Sequence, residues 1–238
     1  YKRQGSITVG STQTIKAMSY KSGYAVGAVT EANFKITGGF VPGDLNGVKL
    51  WVTADNGVVT NGMGMVKSWL NQNGSGASIW QDTDSIRPTL VTNGLNGKPV
   101  VRFNGTSQYM DMNRISVSNF TLVAVYKVNG GTGGPIHNIG GGTNGFSLAN
   151  GITGSYAPNL TKQNGSGQTT AMRVSDGLSY PYGAKVEVWT SEIKGYRDGV
   201  DSSLMGGGWN YSGASRVGWS ASHLNGDIAE MIVYDRVL

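Results

Sequence analysis

The stretch Leu224-Asn-Gly-Asp-Ile-Ala-Glu-Met-Ile-Val-Tyr-Asp-Arg-Val-Leu238 decides the fold. Asn225-Gly226 predicts a turn, and the run behind it predicts a strand. Alternation puts Ile228, Ile232 and Tyr234 on one face, with Ala229, Met231 and Val233 on the other. Both faces are too apolar to meet water, so the strand belongs inside a β-sandwich, with the partner sheet over one face and loops or neighbours over the other. Working outward, short apolar or β-branched runs predict further strands over 48–54, 100–103, 109–112, 121–127, 145–148, 169–174, 185–193, 195–197 and 216–220. Residues 63–70 read as a short helix or an irregular arm that turns Trp69 inward. Glycine repeatedly follows asparagine, as at Asn46-Gly47, Asn56-Gly57, Asn96-Gly97 and Asn104-Gly105. Type I′ hairpin turns favour this pair because both central residues need positive φ. So many strands without a long amphipathic helix predict an all-β fold, an antiparallel β-sandwich or jelly roll.

Composition narrows the function classes. The 238 residues are 38% apolar and 14% charged, with 38 glycines and no cysteine. Lack of Cys excludes a disulfide framework and a thiolate metal site. The abundance of Ser, Thr and Asn reads as an extracellular bacterial β-protein, secreted or on the cell surface. The chain begins at Tyr1 rather than Met, which reads as a protein processed or excised from something longer. No apolar run reaches the ~20 residues of a membrane span, so no membrane insertion is expected. Net charge is +5, which suits an acidic partner, yet Lys and Arg are spread singly apart from Lys2-Arg3. No basic-aromatic stripe forms, so no nucleic acid is expected as a partner.

Several of these runs carry a resemblance. Val48-Lys-Leu-Trp-Val-Thr-Ala-Asp-Asn-Gly57, Arg87-Pro-Thr-Leu90, Asn96-Gly-Lys-Pro-Val-Val-Arg-Phe-Asn-Gly105, Phe120-Thr-Leu-Val-Ala-Val-Tyr-Lys127, Tyr196-Arg-Asp-Gly-Val200 and the closing strand follow one another in family order. Over residues 44–238 they resemble the laminin-G-like branch of the concanavalin A-like lectin/glucanase superfamily. The resemblance implies a jelly roll, and that superfamily hosts binding modules, enzymes and adhesive domains alike. Residues 1–36 form a separate segment. Ser6-Ile-Thr-Val9, Gln13-Thr-Ile-Lys-Ala-Met-Ser-Tyr20 and Lys21-Ser-Gly-Tyr24 resemble the back half of the Ig-like domain found C-terminal to chitobiases and hexosaminidases. The front strands of that domain are missing, so 1–36 reads as a partial spacer of a larger multidomain chain, with 37–43 as linker.

Enzyme motifs are absent: no Gly-x-Ser-x-Gly elbow, Walker loop, His-Glu-x-x-His or dinucleotide turn occurs. The resemblance raises glucanase activity, whose pattern is Glu-x-Asp-x-x-Glu on one strand face. The nearest stretch here is Glu187-Val-Trp-Thr-Ser-Glu192, whose carboxylates are five apart and face opposite sides. His137 and His223 lie far apart with no carboxylate at ligand spacing and read as surface or loop residues. The chain is therefore expected not to be an enzyme. Carbohydrate binding needs exposed aromatic faces beside amides, carboxylates or Arg. Trp51, Trp69, Trp189 and Trp219 read as core, though one of the strand tryptophans can face a groove. The loop-like candidates are Trp209 and Tyr211 between glycines, then Tyr180 and Tyr182, then Trp80. Calcium is common at the rim of the relatives, and Asp82, Asp84, Asp198 and Asp201 are the candidate ligands for a structural Ca2+. The expected function is that of a non-catalytic carbohydrate-binding module of a secreted bacterial polysaccharide-acting or surface protein, with a polysaccharide or surface glycan as partner. The first rival expectation is a structural or adhesive domain of a cell-surface or fibre protein, and the second a polysaccharide lyase or glycoside hydrolase.

Overall fold

The computed structural model describes residues 13–18, 22–25, 27–34, 41–74, 78–139, 144–152, 155–164, 167–173, 182–192, 194–197, 200–202, 204–207, 213–220 and 222–238. The chain divides into two compact units, Tyr1–Asp44 and Leu45–Leu238. In the first, β1 (Gln13–Ala17) and β2 (Thr30–Phe34) pair antiparallel, with Lys16 opposite Glu31. Among the described residues, no helix is long and apolar enough to cross a membrane.

The second unit is an antiparallel β-sandwich, as the strand pattern predicts. One sheet runs β17 (Val200–Ser202), β16 (Gly195–Arg197), β15 (Tyr182–Thr190), β10 (Thr121–Gly130), β22 (Asn225–Tyr234), β8 (Lys98–Asn104) and β7 (Thr89–Leu95), and β3 (Val48–Thr53) also pairs with β22. The other runs β18 (Leu204–Gly207), β14 (Gly167–Arg173), β13 (Ser155–Asn164), β12 (Gly145–Ile152), β11 (Ile136–Asn138), β19 (Arg216–Val217), β9 (Met110–Met112), β6 (Ile79–Trp80), β5 (Val66–Trp69) and β4 (Val58–Thr60). A small hairpin, β20 (Trp219–Ser220) with β21 (Ser222–His223), stands apart from both sheets. The segment expected as a helix or arm at 63–70 contains strand β5 instead, and Trp69 is fully buried.

The last strand is central rather than peripheral. One edge of β22 pairs with β10 along its length, while the other edge is shared by β8, over Asn225–Ile228, and β3, over Glu230–Tyr234. Ala229 is an extra residue between these two registers, and its carbonyl accepts the Ala54 N–H at 2.8 Å. This bulge overturns the simple alternation expected for the strand. An inserted residue moves every later side chain to the opposite face. Ile228 therefore joins Met231 and Val233 in the main core, while Ile232 and Tyr234 pack outside with Val48, Leu45, Trp51 and Val123. The expected turn at Asn225-Gly226 is also corrected, since both residues already pair within β22. Asn96-Gly97 does behave as predicted, with φ of 48° and 75° at the tip of the β7–β8 hairpin.

Between the sheets lie Leu50, Val52, Phe103, Phe120, Leu122, Phe146, Leu148 and Trp189. Phe120 and Phe146 meet at 4.8 Å, and the Tyr126 hydroxyl bonds Asn150 Oδ1 across the interior at 2.8 Å. On the outer side, Asp227 is 1% exposed and takes a forked pair of bonds from Arg102, at 2.6 and 2.9 Å. Truncating Arg102 to alanine strands this carboxylate, so we expect Arg102→Ala to lower unfolding free energy by ~1–3 kcal/mol in denaturant titrations. Arg102→Lys is expected to recover part of that loss, because it restores charge without the fork. Equal stability of wild type and Arg102→Ala would show that water satisfies Asp227.

Candidate functional site

Core residues on the ten-stranded sheet alternate with residues on its outer face. Ile79, Met110, Met112, Val217, Ile136 and Phe146 point inward. Their neighbours Trp80, Asp111, Arg216, His137 and Ser147 pair in register, one strand to the next, and Ser68 and Thr161 continue the row on either side. Residues paired directly across antiparallel strands share a face. One row of polar and aromatic side chains therefore crosses the outer face of the sheet.

Half of this row is covered. Gly218, at φ 72°, separates β19 from β20, and a Cβ on it would fall 2.1 Å from the Phe103 ring. Glycine alone takes this turn without strain. The strand expected over 216–220 is thus two short strands. The break folds the Trp219–His223 hairpin toward β11 and β12, where Ser220 Oγ meets Ser147 Oγ at 2.6 Å. Ser147 Oγ also lies 3.0 Å from His137 Nδ1, and His137, Ser147 and Ser220 are all fully buried. Asn138 anchors the neighbouring segments: it bonds the Ile115 backbone at both ends and accepts from Ser215 Oγ at 3.2 Å.

The other half remains partly open. Arg216 lies over the Tyr109 ring at 4.1 Å and 5.4 Å from the Trp219 ring, within cation–π range. Its Nε is 3.4 Å from Asp111 Oδ1. Trp219 meets His137 edge-on at 5.0 Å, and Tyr109 lies 6.0 Å from His223. Trp80, Tyr109, Asp111, Arg216, Trp219 and His223 are each half-buried. His137, expected at the surface, is instead interior. Burial lowers its pKa to about 4, and the charges of Arg216 and Arg114 push the same way against a hydrogen bond with the Ile139 backbone. Burial first and Arg216 second also lower that of His223.

The residues singled out from sequence fall differently. Trp80 joins the row. Tyr182 lies in β15 and Asp201 in β17, whereas Trp209, Tyr211, Tyr180 and Asp198 lie outside the described residues. Asp82 and Asp84 are exposed, and their loop closes on Arg87. That buried guanidinium donates to the Gln81 and Asp82 carbonyls at 2.7 and 2.9 Å and pairs with the Asp84 carboxylate. Among the described residues, no three His, Asp or Glu side chains gather as a metal site. Glu187 is buried, while Glu192 is exposed beyond the end of β15 beside Lys194, 3.8 Å away. No protein-family model matches the chain, and no curated protein matches it.

The histidine yields a pH prediction. Unfolded, His137 takes up a proton near its ordinary pKa of 6.5; folded, it stays neutral down to about 4. Between those values the unfolded state binds more protons, so stability is full above ~6.5 and is lost as pH falls toward 4. We expect this contribution to be on the order of 2–3 kcal/mol, read as a steeper fall in stability from pH 7 to 4.5 for wild type than for His137→Gln. Parallel curves for the two proteins would remove His137 as the source.

Proposed function

We propose that this chain is a non-catalytic carbohydrate-binding module of a secreted bacterial polysaccharide-acting or surface protein, carrying the tail of an Ig-like spacer. The observation that supports it is the partly open row of Trp80, Asp111 and Arg216, flanked by Tyr109 and Trp219, on a sheet face that the core does not need. The aromatic faces offer stacking surface for sugar C–H groups, while Asp111 and Arg216 offer an acceptor and donors for hydroxyls. The buried His137–Ser147–Ser220 chain holds the hairpin from below, so the platform needs little ordering when ligand arrives. Structural calcium at the rim stays part of the proposal; Arg87 already engages the Asp82–Asp84 loop, which leaves Asp198 and Asp201 as its candidate ligands.

A second reading has one observation in its favour. On the outer face of the other sheet, Val186 is 39% exposed and stands in register with half-buried Val125, beside Val123 and Val188. Such an apolar face suits a structural or adhesive domain that contacts protein.

A glycan array with and without calcium separates the two. We expect binding that Trp219→Ala and Tyr109→Ala each weaken about tenfold, the equivalent of ~1.4 kcal/mol of lost stacking. Trp209→Ala and Tyr211→Ala, run in parallel, test the glycine-rich segment. Silence across the array from folded protein would favour the adhesive reading.

A further inference from the structure

We propose that the glycan held at this face is acidic, a polysaccharide of the uronic-acid class, and that Arg216 grips its carboxylate while the sugar ring lies against Trp219. The proposal rests on the carbohydrate-binding reading above and narrows it to one substrate class.

The geometry of Arg216 carries the inference. A guanidinium is planar, with five N–H donors around its rim. The Arg216 Cζ lies over the Tyr109 ring at 4.1 Å, with the Trp219 ring close by at 5.4 Å. Polar bonding is left to the rim. There, Nε reaches Asp111 Oδ1 at 3.4 Å, longer than the ~2.7–2.9 Å of a good charge-assisted bond. Neither terminal nitrogen has an acceptor among the described residues. The Arg216 side chain is 27% exposed, so these donors are only partly hydrated, and no described residue accepts from them. A fork of parallel N–H groups matches the two oxygens of a carboxylate, a fit that a single hydroxyl lacks. In a uronic acid the carboxylate is attached to the pyranose ring itself, so one residue can stack and chelate together.

Charge agrees. Arg216 and Asp111 bring opposite charges to the row itself, and Arg114, outside it, adds a second positive charge. The fields of both arginines reach His137, and that of Arg216 also reaches His223. An acidic ligand offsets this excess; a neutral one leaves it in place.

The test measures binding by affinity electrophoresis and calorimetry, using the full chain with polygalacturonate, alginate, their carboxyl-reduced forms and dextran sulfate. We expect at least one acidic polymer to bind and to lose about tenfold in affinity on carboxyl reduction. Arg216→Gln should lose about as much, with Arg216→Lys recovering only part of it because it supplies charge without the fork. Asp111→Asn, which removes the internal competitor for Arg216, should bind the acidic polymer ~2–5-fold more tightly. Thermal melts confirm that each variant is folded, and Asp111→Asn keeps the test open should Arg216→Gln misfold. Equal binding before and after carboxyl reduction would overturn the acidic assignment while leaving the carbohydrate reading intact. Equal binding to dextran sulfate, or full binding by Arg216→Gln, would reduce the effect to diffuse charge attraction and overturn the role of Arg216. No binding to any polymer, by protein that is folded, would take down both readings.

Discussion

Everything in the sandwich depends on the register of β22. Its two hydrogen-bonding edges serve β10, β8 and β3, so an error of one residue would mispair all three. The Ala229 bulge accommodates the change of partner: β8 lies before it and β3 after it. The same extra residue sends Ile228, Met231 and Val233 to the core and Ile232 and Tyr234 to the smaller outer cluster. Each such side chain contributes about 1.5–3 kcal/mol when taken out of water. The register is thus held by burial on two faces at once.

The outer face of the ten-stranded sheet follows a different rule. Polar groups there are dry because the Trp219–His223 hairpin lies over them, and dry polar groups need partners. Ser220 Oγ, Ser147 Oγ and His137 Nδ1 bond in a short chain, and Asn138 performs the same task for residues 115 and 215. The result is a stiff polar layer beneath one end of the Arg216 stack, with the Tyr109 and Asp111 end left toward solvent.

The fold was legible because its signals are local. Alternating runs such as Met110-Asp111-Met112 and the apolar closing strand state their own conformation, and the all-β sandwich follows from their number. The bulge at Ala229 was not legible, since nothing in Ile228-Ala229-Glu230 marks the extra residue; it exists because β3 and β8 meet there. The site was hidden for a related reason. Arg216 and Asp111 are 105 positions apart, and only strand pairing brings them together. His137 looked like a loop residue because three-residue β11 is too short to show a period. One clue was present: in Arg216-Val217-Gly218-Trp219, a charged residue alternates with an apolar one and a glycine then precedes a large ring. That pattern fits a strand leaving its sheet, and it separates Trp219 from the core tryptophans Trp69 and Trp189.

The position of β22 in the chain also has a meaning in time. Synthesis runs from the N-terminus, so β10, β3 and β8 leave the ribosome long before the strand that joins them. Until residue 234 emerges, the eight-stranded sheet exists as separate pieces with open edges, β3 on its own and β7–β8 apart from β10 and β15. Such edges invite pairing with other chains, and contacts this distant in sequence form slowly. For this domain the hazardous interval is the one spent waiting for its middle, and Lys49, Lys98, Arg102 and Lys127 put charges on the waiting strands that oppose such pairing.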